Sequence, residues 1–264
     1  MVMNFIFIDG SYYLFYRFHA LQLWWKNAHP EDELGDPIHN EVFVAAFRKA
    51  FVNKLLEIPK KLKIKQSINF VGKDCPRSKI WRNALYDNYK GTRTDNFEGG
   101  PFFKLAYSED LFAEGNFGTI LEGDTLEADD CIAITTKHII DTYPDANVWI
   151  ITGDMDYLQL AHERVHLYNL KFSKLTDAKS CFKDPKKDLM CKILVGDKSD
   201  NIMPIFKGCG IKTAEKLFND PELLAKKLAD KDIKKVYDLN TQLIDFNSIP
   251  QELVESFKKN CLKL

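Results

Sequence analysis

Long apolar runs are missing from this chain. No stretch approaches the ~20 residues that a membrane-spanning helix needs, which excludes a helical membrane protein. A basic leader is missing as well. The opening MVMNFIFIDGSYY holds a short apolar run with an acid inside it, the pattern of a buried strand rather than a signal peptide. Cys-x-x-Cys pairs are absent. The six cysteines stand far apart at 75, 131, 181, 191, 209 and 261, which argues against a disulfide frame or a thiolate zinc site and for reduced cytosolic thiols. Neither a repeat of solenoid period nor a low-complexity tract occurs. What is plentiful is apolar side chain. At 45% hydrophobic over 264 residues the chain can bury a large core, as one α/β domain with a helical appendage or as two small domains.

A net positive charge is also lacking, since the total is −1. That figure conceals two unlike parts. From Lys171 onward there are 19 Lys, no Arg and 14 acids, a balance of +5, and the first 170 residues carry −6. Seven of the acids in the first part belong to the candidate metal site below, so cations there would leave a roughly neutral first part and a basic second one. The small total therefore does not exclude a nucleic-acid partner. The run from Lys227 to Lys235 reads as a solvated helix face.

The periodicities predict strands at Asn4–Ile8, Gln66–Val71, Phe117–Leu121, Asn147–Ile151 and Val165–Asn169. Between them, helices are predicted over Ser11–Trp25, with Ser11 as N-cap, and over Asn40–Ile58, Lys79–Tyr89 and Leu126–Thr142. Gly91 to Gly100 reads as a mobile polar loop, and the chain after Lys171 reads as helices with short connections. Alternating strands and helices imply a doubly wound, mainly parallel sheet, which binds ligands at the carboxyl ends of its strands.

Acids stand at those ends. Asp9 closes the first strand, Asp74 follows the second, Glu127, Asp129 and Asp130 follow the third, and Asp154 and Asp156 follow the fourth. Asp197 and Asp200 form a fifth group, three residues apart. Each has an ordinary explanation alone, as a turn residue or as an acid in the first turn of a helix. Together, nine carboxylates in one crevice would repel one another unless cations lay between them. All-oxygen ligands suit Mg²⁺ or Mn²⁺. Two such ions, ~4 Å apart, can activate water and stabilise the leaving oxygen of a phosphodiester.

Basic residues cluster at Arg77–Arg82 and Lys90–Arg93. On a helix, Lys79, Arg82, Tyr86, Tyr89, Lys90 and Arg93 would share a broad face able to hold phosphates, with Tyr86 and Tyr89 stacking on an unpaired base. The competing reading is a solvated helix face. Farther on, Lys207-Gly208-Cys209-Gly210-Ile211-Lys212-Thr213, followed by Lys216, forms a tight hairpin between helices, whose amides and lysines can bind a DNA phosphate. A helix–turn–helix corner with no ligand is the plainer alternative.

With these pieces in place, the chain resembles the flap endonuclease/5′-nuclease family, most closely its bacterial and bacteriophage branch. The matching segments are IDGSYYLFYRF, WRNALYDNYKGTR, LEADD, ITGDMDYLQL and GDKSDNIMPIFKGCGIKTAEKL, in family order from residue 5 to about 218. The resemblance implies a PIN-like α/β fold with two or more Mg²⁺ ions, replaceable by Mn²⁺, held by the nine acids named above. It implies Lys90 and Arg93 at the base of a helical arch, with Arg82 as a further basic catalytic position. It implies a helix-hairpin-helix that grips duplex DNA, with a K⁺ ion on its backbone carbonyls as in relatives. The expected layout is a nuclease core over 1–170 with the arch at about 80–122, then a helical DNA-binding region over 171–264 with the hairpin at about 196–218. Three departures stand out: a loop from Asp74 to Arg82 one residue longer than usual, Cys209 between the hairpin glycines, and an arch segment rich in Phe and acids.

The resulting expectation is a monomeric, cytoplasmic, stand-alone 5′-nuclease. Its substrate would be branched, flapped or nicked duplex DNA with a 5′ end, RNA primer–DNA hybrids included. The alternatives are a catalytically silent branched-DNA-binding protein and a PIN-type ribonuclease. A phosphatase with an Asp-x-Asp nucleophile fits poorly, because Asp154-Met155-Asp156 follows the fourth strand and not the first.

Overall fold

The fold is that of a computed structural model, which describes residues 3 to 93 and 97 to 262. Five parallel strands form one sheet: β1 (Asn4–Asp9), β2 (Ile68–Gly72), β3 (Thr119–Leu121), β4 (Asn147–Ile151) and β5 (Val165–Tyr168), in the order β3-β2-β1-β4-β5. The sequence reversal beside β1 opens a crevice between its neighbours β2 and β4, where such sheets place ligands. Both faces of β1 are buried, as expected of a strand covered by helices on two sides. Phe5 and Phe7 face one layer and Ile6 and Ile8 the other.

On the second face lie α1 (Gly10–Ala28) and α2 (Glu41–Lys61), joined by α3 (Gly100–Ser108) and α4 (Leu111–Glu114). The apolar stripe Phe43, Phe47, Phe51 and Leu55 drives α2 inward, and Asn40 caps it by accepting from the Phe43 amide at 3.0 Å. The Phe-rich segment expected to form the arch is built into this layer. Phe102 is fully buried, its ring 4.7 Å from that of Phe47, and Ala106, Leu111, Phe112 and Phe117 pack beside it. Part of the Gly91–Gly100 loop, residues 94 to 96, lies outside the described residues.

The first face carries α5 (Ala128–Thr142) and, from the far end of the chain, α10 (Gln251–Cys261), with Phe246, Ile249 and Phe257 in the same core. The last helix thus covers the sheet rather than joining the hairpin. Between β5 and α10 come α6 (Pro185–Val195), α7 (Ile211–Asn219), α8 (Pro221–Leu228) and α9 (Lys231–Ile244). Cys191, Leu194, Ile205, Cys209, Ala214 and Leu217 make a separate small core for α6 and α7. No helix among the described residues is long and apolar enough to cross a membrane.

Two expectations fail locally. The N-cap of α1 is Asp9, which accepts from the Tyr12 amide at 3.0 Å, and the Ser11 hydroxyl donates instead to Asp74. Lys79–Tyr89 is not a helix. Short 3-10 turns at Arg77–Lys79 and Trp81–Ala84 replace it, because the backbone is drawn to distant acceptors: Trp81 N–H donates to Thr125 O at 3.1 Å and Lys90 N–H to Asp200 O at 2.9 Å.

Candidate active site

Parallel register brings the first acids together. Asp9 lies level with Gly72 across β1 and β2, and Ile8 lies level with Ile151 across β1 and β4. Asp74 and Asp154 follow within three residues of those strand ends, so all three reach the same edge. At Gly72 a Cβ would lie 2.8 Å from Ala128 O, and this close approach seats the start of α5 against β2. Asp74 then accepts from the Ala128 amide at 2.8 Å. The slightly longer loop after Asp74 therefore does not displace it from the set. Burial, with Asp74 and Asp154 alongside, raises the Asp9 pKa to about 7. Burial beside Asp130 and Glu127 raises that of Asp129 well above the carboxylate range. Among the described residues, no Lys or Arg forms an ion pair with Asp9, Asp74, Asp129 or Asp154.

The remaining acids have cationic partners. Lys90 Nζ binds Glu127, and lies 3.8 Å from Asp200. Arg93 binds Asp200 at 2.5 Å. Lys192, on α6, bridges Asp156 and Asp197, 2.7 Å from the latter. Burial favours the neutral form of Glu127, but Lys90 and Arg82 outweigh it and hold the carboxyl below its usual pKa. Asp197 follows the same logic, drawn down to about 2 by Lys192 and by bonds from Ser199 N–H and Oγ, both at 2.7 Å. In Asp156, burial and Asp154 prevail over Lys192 and raise the pKa to about 7. Lys90 has a left-handed backbone, φ 54°, a conformation a lysine adopts only when its surroundings enforce it.

Three expected roles change. Arg82 is 1% exposed and cannot touch a substrate. Its guanidinium donates to Glu127 at 2.8 Å and to both oxygens of Asp130 at 2.8 and 2.7 Å. Asp130, 0% exposed, also accepts from Trp81 Nε1 at 2.9 Å and from the Glu127 amide at 3.2 Å, completing a capping box on α5. With both oxygens occupied, Asp130 secures the start of α5, and oxygens of Glu127, Asp129 and Asp130 lie within 4.8 Å of one another. Tyr89 is buried and does not stack on a base; its hydroxyl donates to Glu127 at 3.0 Å and reaches Asp200 at 3.3 Å. Lys79 remains exposed and Tyr86 half-buried, packed against a core that includes Ile80 and Tyr89.

An all-oxygen donor set in which burial and neighbouring carboxyls raise the pKa values of Asp9 and Asp129 fits a divalent cation. Beside it opens a cleft of about 740 Å³, lined by Ser11, Asp74, Lys90, Arg93 and Glu127 together with Phe15, Phe97 and Phe103. Phe15 is 41% exposed, with the Phe97 and Phe103 rings at 4.3 and 5.1 Å. Neither this aromatic wall nor Lys192 was singled out in the sequence. The signals for the wall were the aromatic residues of the first helix and the Phe-rich segment after Lys90, and Lys192 gave none.

The Gly208-Cys209-Gly210 turn lies between α6 and α7. Gly208 has φ 86°, where a side chain would be strained, and Cys209 is buried in the small core. Lys207, Lys212 and Lys216 are exposed, Thr213 is half-exposed, and Gly210 begins α7 with no side-chain cap. The first-turn amides of α7 are thus available to an anion.

Residues 4–186 match the family model described as the 5′-3′ exonuclease, N-terminal resolvase-like domain. A 5′-3′ exonuclease of Bacillus subtilis (strain 168) is 34% identical over 161 residues, 57% of this chain and 52% of the relative. DNA polymerase I of Rhizobium leguminosarum is 29% identical over 189 residues, 67% of this chain and 18% of the relative. The chain thus spans about half of the first relative and under a fifth of the second. Among solved structures, the T5 5′-exonuclease with bound zinc has a TM-score of 0.66 at 18% identity, each chain covered to 98%. A bacteriophage T5 flap endonuclease variant in a complex with DNA and metal ions has a TM-score of 0.64 at 18% identity, covering 98% of each chain. These likenesses establish a shared fold, and the family match covers more than half of the sequence. The chain belongs to the 5′-3′ exonuclease family, by its N-terminal resolvase-like domain.

Proposed function

We propose that the chain is a structure-specific 5′-nuclease, acting as a 5′-3′ exonuclease and flap endonuclease on branched, flapped or nicked DNA in replication or repair. The observation that carries this reading is the convergence of acids from five chain segments, with Lys90 and Arg93 set between Glu127, Asp200 and an open cleft. Asp9, Asp74, Asp129 and Asp154 would hold one divalent cation, and Glu127, Asp156, Asp197 and Asp200 a second, with Mg²⁺ the expected ion and Mn²⁺ a substitute. Bound there, such ions supply water activation and charge neutralisation at phosphorus.

The chain's own side chains do the rest. Lys90 and Arg93 exchange part of their contact with Glu127 and Asp200 for the scissile phosphate and hold it in line. Phe15, Phe97 and Phe103 offer an apolar wall to an unpaired base and exclude water around it. The α7 amides, with Lys207, Lys212 and Lys216, hold the duplex backbone, and a K⁺ ion on the hairpin carbonyls would complete that grip. The layout behind this reading is a nuclease core over 1–170, with an arch at about 80–122, and a DNA-binding helical region after 171. RNA primer–DNA hybrids are a further substrate to test, and the working compartment is the cytoplasm.

The test is Asp154→Asn on 5′-labelled flapped DNA with Mg²⁺. The expected result is loss of cutting with DNA binding retained, and competition by an RNA analogue weaker than by DNA. Full activity in the variant would overturn the assignment. Binding without cutting by the unaltered protein would favour a silent branched-DNA-binding role.

A further inference from the structure

We infer that the C-terminal end of α9 fixes where the cut falls: Asn240, Gln159 and Arg82 are positioning residues that set the spacing between the hairpin and the acid loops. This rests on the nuclease reading above and adds to it the determinant of cleavage position.

The end of α9 makes bonds in two directions. Asn240, buried at 1% exposure, donates through Nδ2 to Ile193 O in α6 at 2.9 Å and to Met203 O, in the segment leading to the hairpin, at 2.8 Å. One turn later the carbonyls of Leu243 and Ile244 have no helical partner. Arg82 Nε donates to the first at 2.8 Å and Gln159 Nε2 to the second at 3.1 Å. Gln159 Oε1 also accepts from the Phe246 amide at 2.9 Å. Arg82 is the residue that orients Glu127 and Asp130. Gln159 belongs to the 3-10 turn Met155–Leu160, which carries Asp156.

Two separate acid-bearing segments therefore end on consecutive carbonyls of one helix, and that helix is fastened a turn earlier to the base of the hairpin. A second connection exists, through Lys192 of α6 on Asp156 and Asp197. That connection lies inside the acid set, where any bound cation competes with it. The α9 bonds of Arg82 and Gln159 end on backbone groups outside the set. A duplex held at the hairpin is thus presented to the acids at a distance set by α9.

Gln159→Met keeps the side-chain length and removes both of its bonds, whereas Gln159→Glu removes only the donation to Ile244 and keeps the acceptor for Phe246. Single-turnover cleavage of flapped DNA with Mg²⁺, with products resolved to the nucleotide, reads the effect. The unaltered protein should cut mainly at one phosphodiester. Gln159→Met should spread the cuts over neighbouring positions, with total rate reduced on the order of tenfold, the scale of two weak neutral hydrogen bonds. Gln159→Glu should fall between. A slower reaction with unchanged product lengths, or no change at all, would overturn the role of α9. Failure of the unaltered protein to cut flapped DNA would instead remove the nuclease reading on which it stands.

Discussion

The two halves of the acid site differ in how their charge is balanced. Asp9, Asp74, Asp129 and Asp154 come from the sheet edge and the start of α5, and they have no cationic partner among the described residues. Glu127, Asp156, Asp197 and Asp200 are held by Lys90, Arg93, Arg82 and Lys192. In the first half, burial and neighbouring carboxyls favour the protonated forms of Asp9 and Asp129, a cost that an added cation would relieve. The second half carries its own cations, so an ion entering there competes with lysine. Affinity for a divalent cation should accordingly be higher in the first half than in the second.

The largest expected effect tests the cationic half. Lys90→Ala removes the charge beside Glu127 and the cleft, and should lower kcat on flapped DNA on the order of 10²- to 10³-fold, with a smaller change in KM. Steady-state kinetics would check this, and a variant within threefold of the original would deny Lys90 its role. Next in size is Arg82→Met, which leaves Asp130 without its cation in the interior and Glu127 with Lys90 alone. It should cost about 3–5 kcal/mol of folding stability by chemical denaturation, more than any exposed lysine.

The contrast between halves also predicts a pH dependence. Burial and a neighbouring carboxyl raise the folded pKa values of Asp9 and Asp156 to about 7, above the ordinary aspartate range. A raised carboxyl pKa contributes stability that is complete below the unfolded value, and that stability is lost as pH rises through the folded one. The protein in EDTA should therefore melt at a lower temperature at pH 8 than at pH 5, on this contribution. Mg²⁺ at a hundredfold excess over its Kd should raise the melting point by roughly 5–10 °C at pH 8 and by less at pH 5. An equal gain at both pH values would mean that these carboxyls do not bind the ion. The smallest effect belongs to the hairpin. Lys212→Ala or Lys216→Ala should weaken duplex binding a few-fold and lower the salt slope by about one, without sequence preference.

Much of the core and of the first half was legible in advance, because its logic is topological. A parallel sheet brings its strand ends to one edge, so acids after β1, β2 and β4 had to meet there. The hairpin was legible from Gly208, Gly210 and the lysines around them. What escaped was set by tertiary contacts. The spacing of Lys79, Arg82, Tyr86 and Tyr89 suits a helix, but Arg82 turns inward to Asp130 and Leu243, and the backbone follows it. Lys192 looked like one more surface lysine until the fold placed α6 against Asp156 and Asp197. Asp130 resembled its neighbours in sequence, and only its buried partners separate it from them.

Calorimetric titration with Mn²⁺ addresses the difference between the halves most directly. Two sites of unequal affinity are expected, the tighter lost in Asp9→Asn and the weaker lost in Asp200→Asn, with Lys192→Met strengthening the weaker one. A single site indifferent to Asp9→Asn would contradict the assignment of these acids to a metal centre.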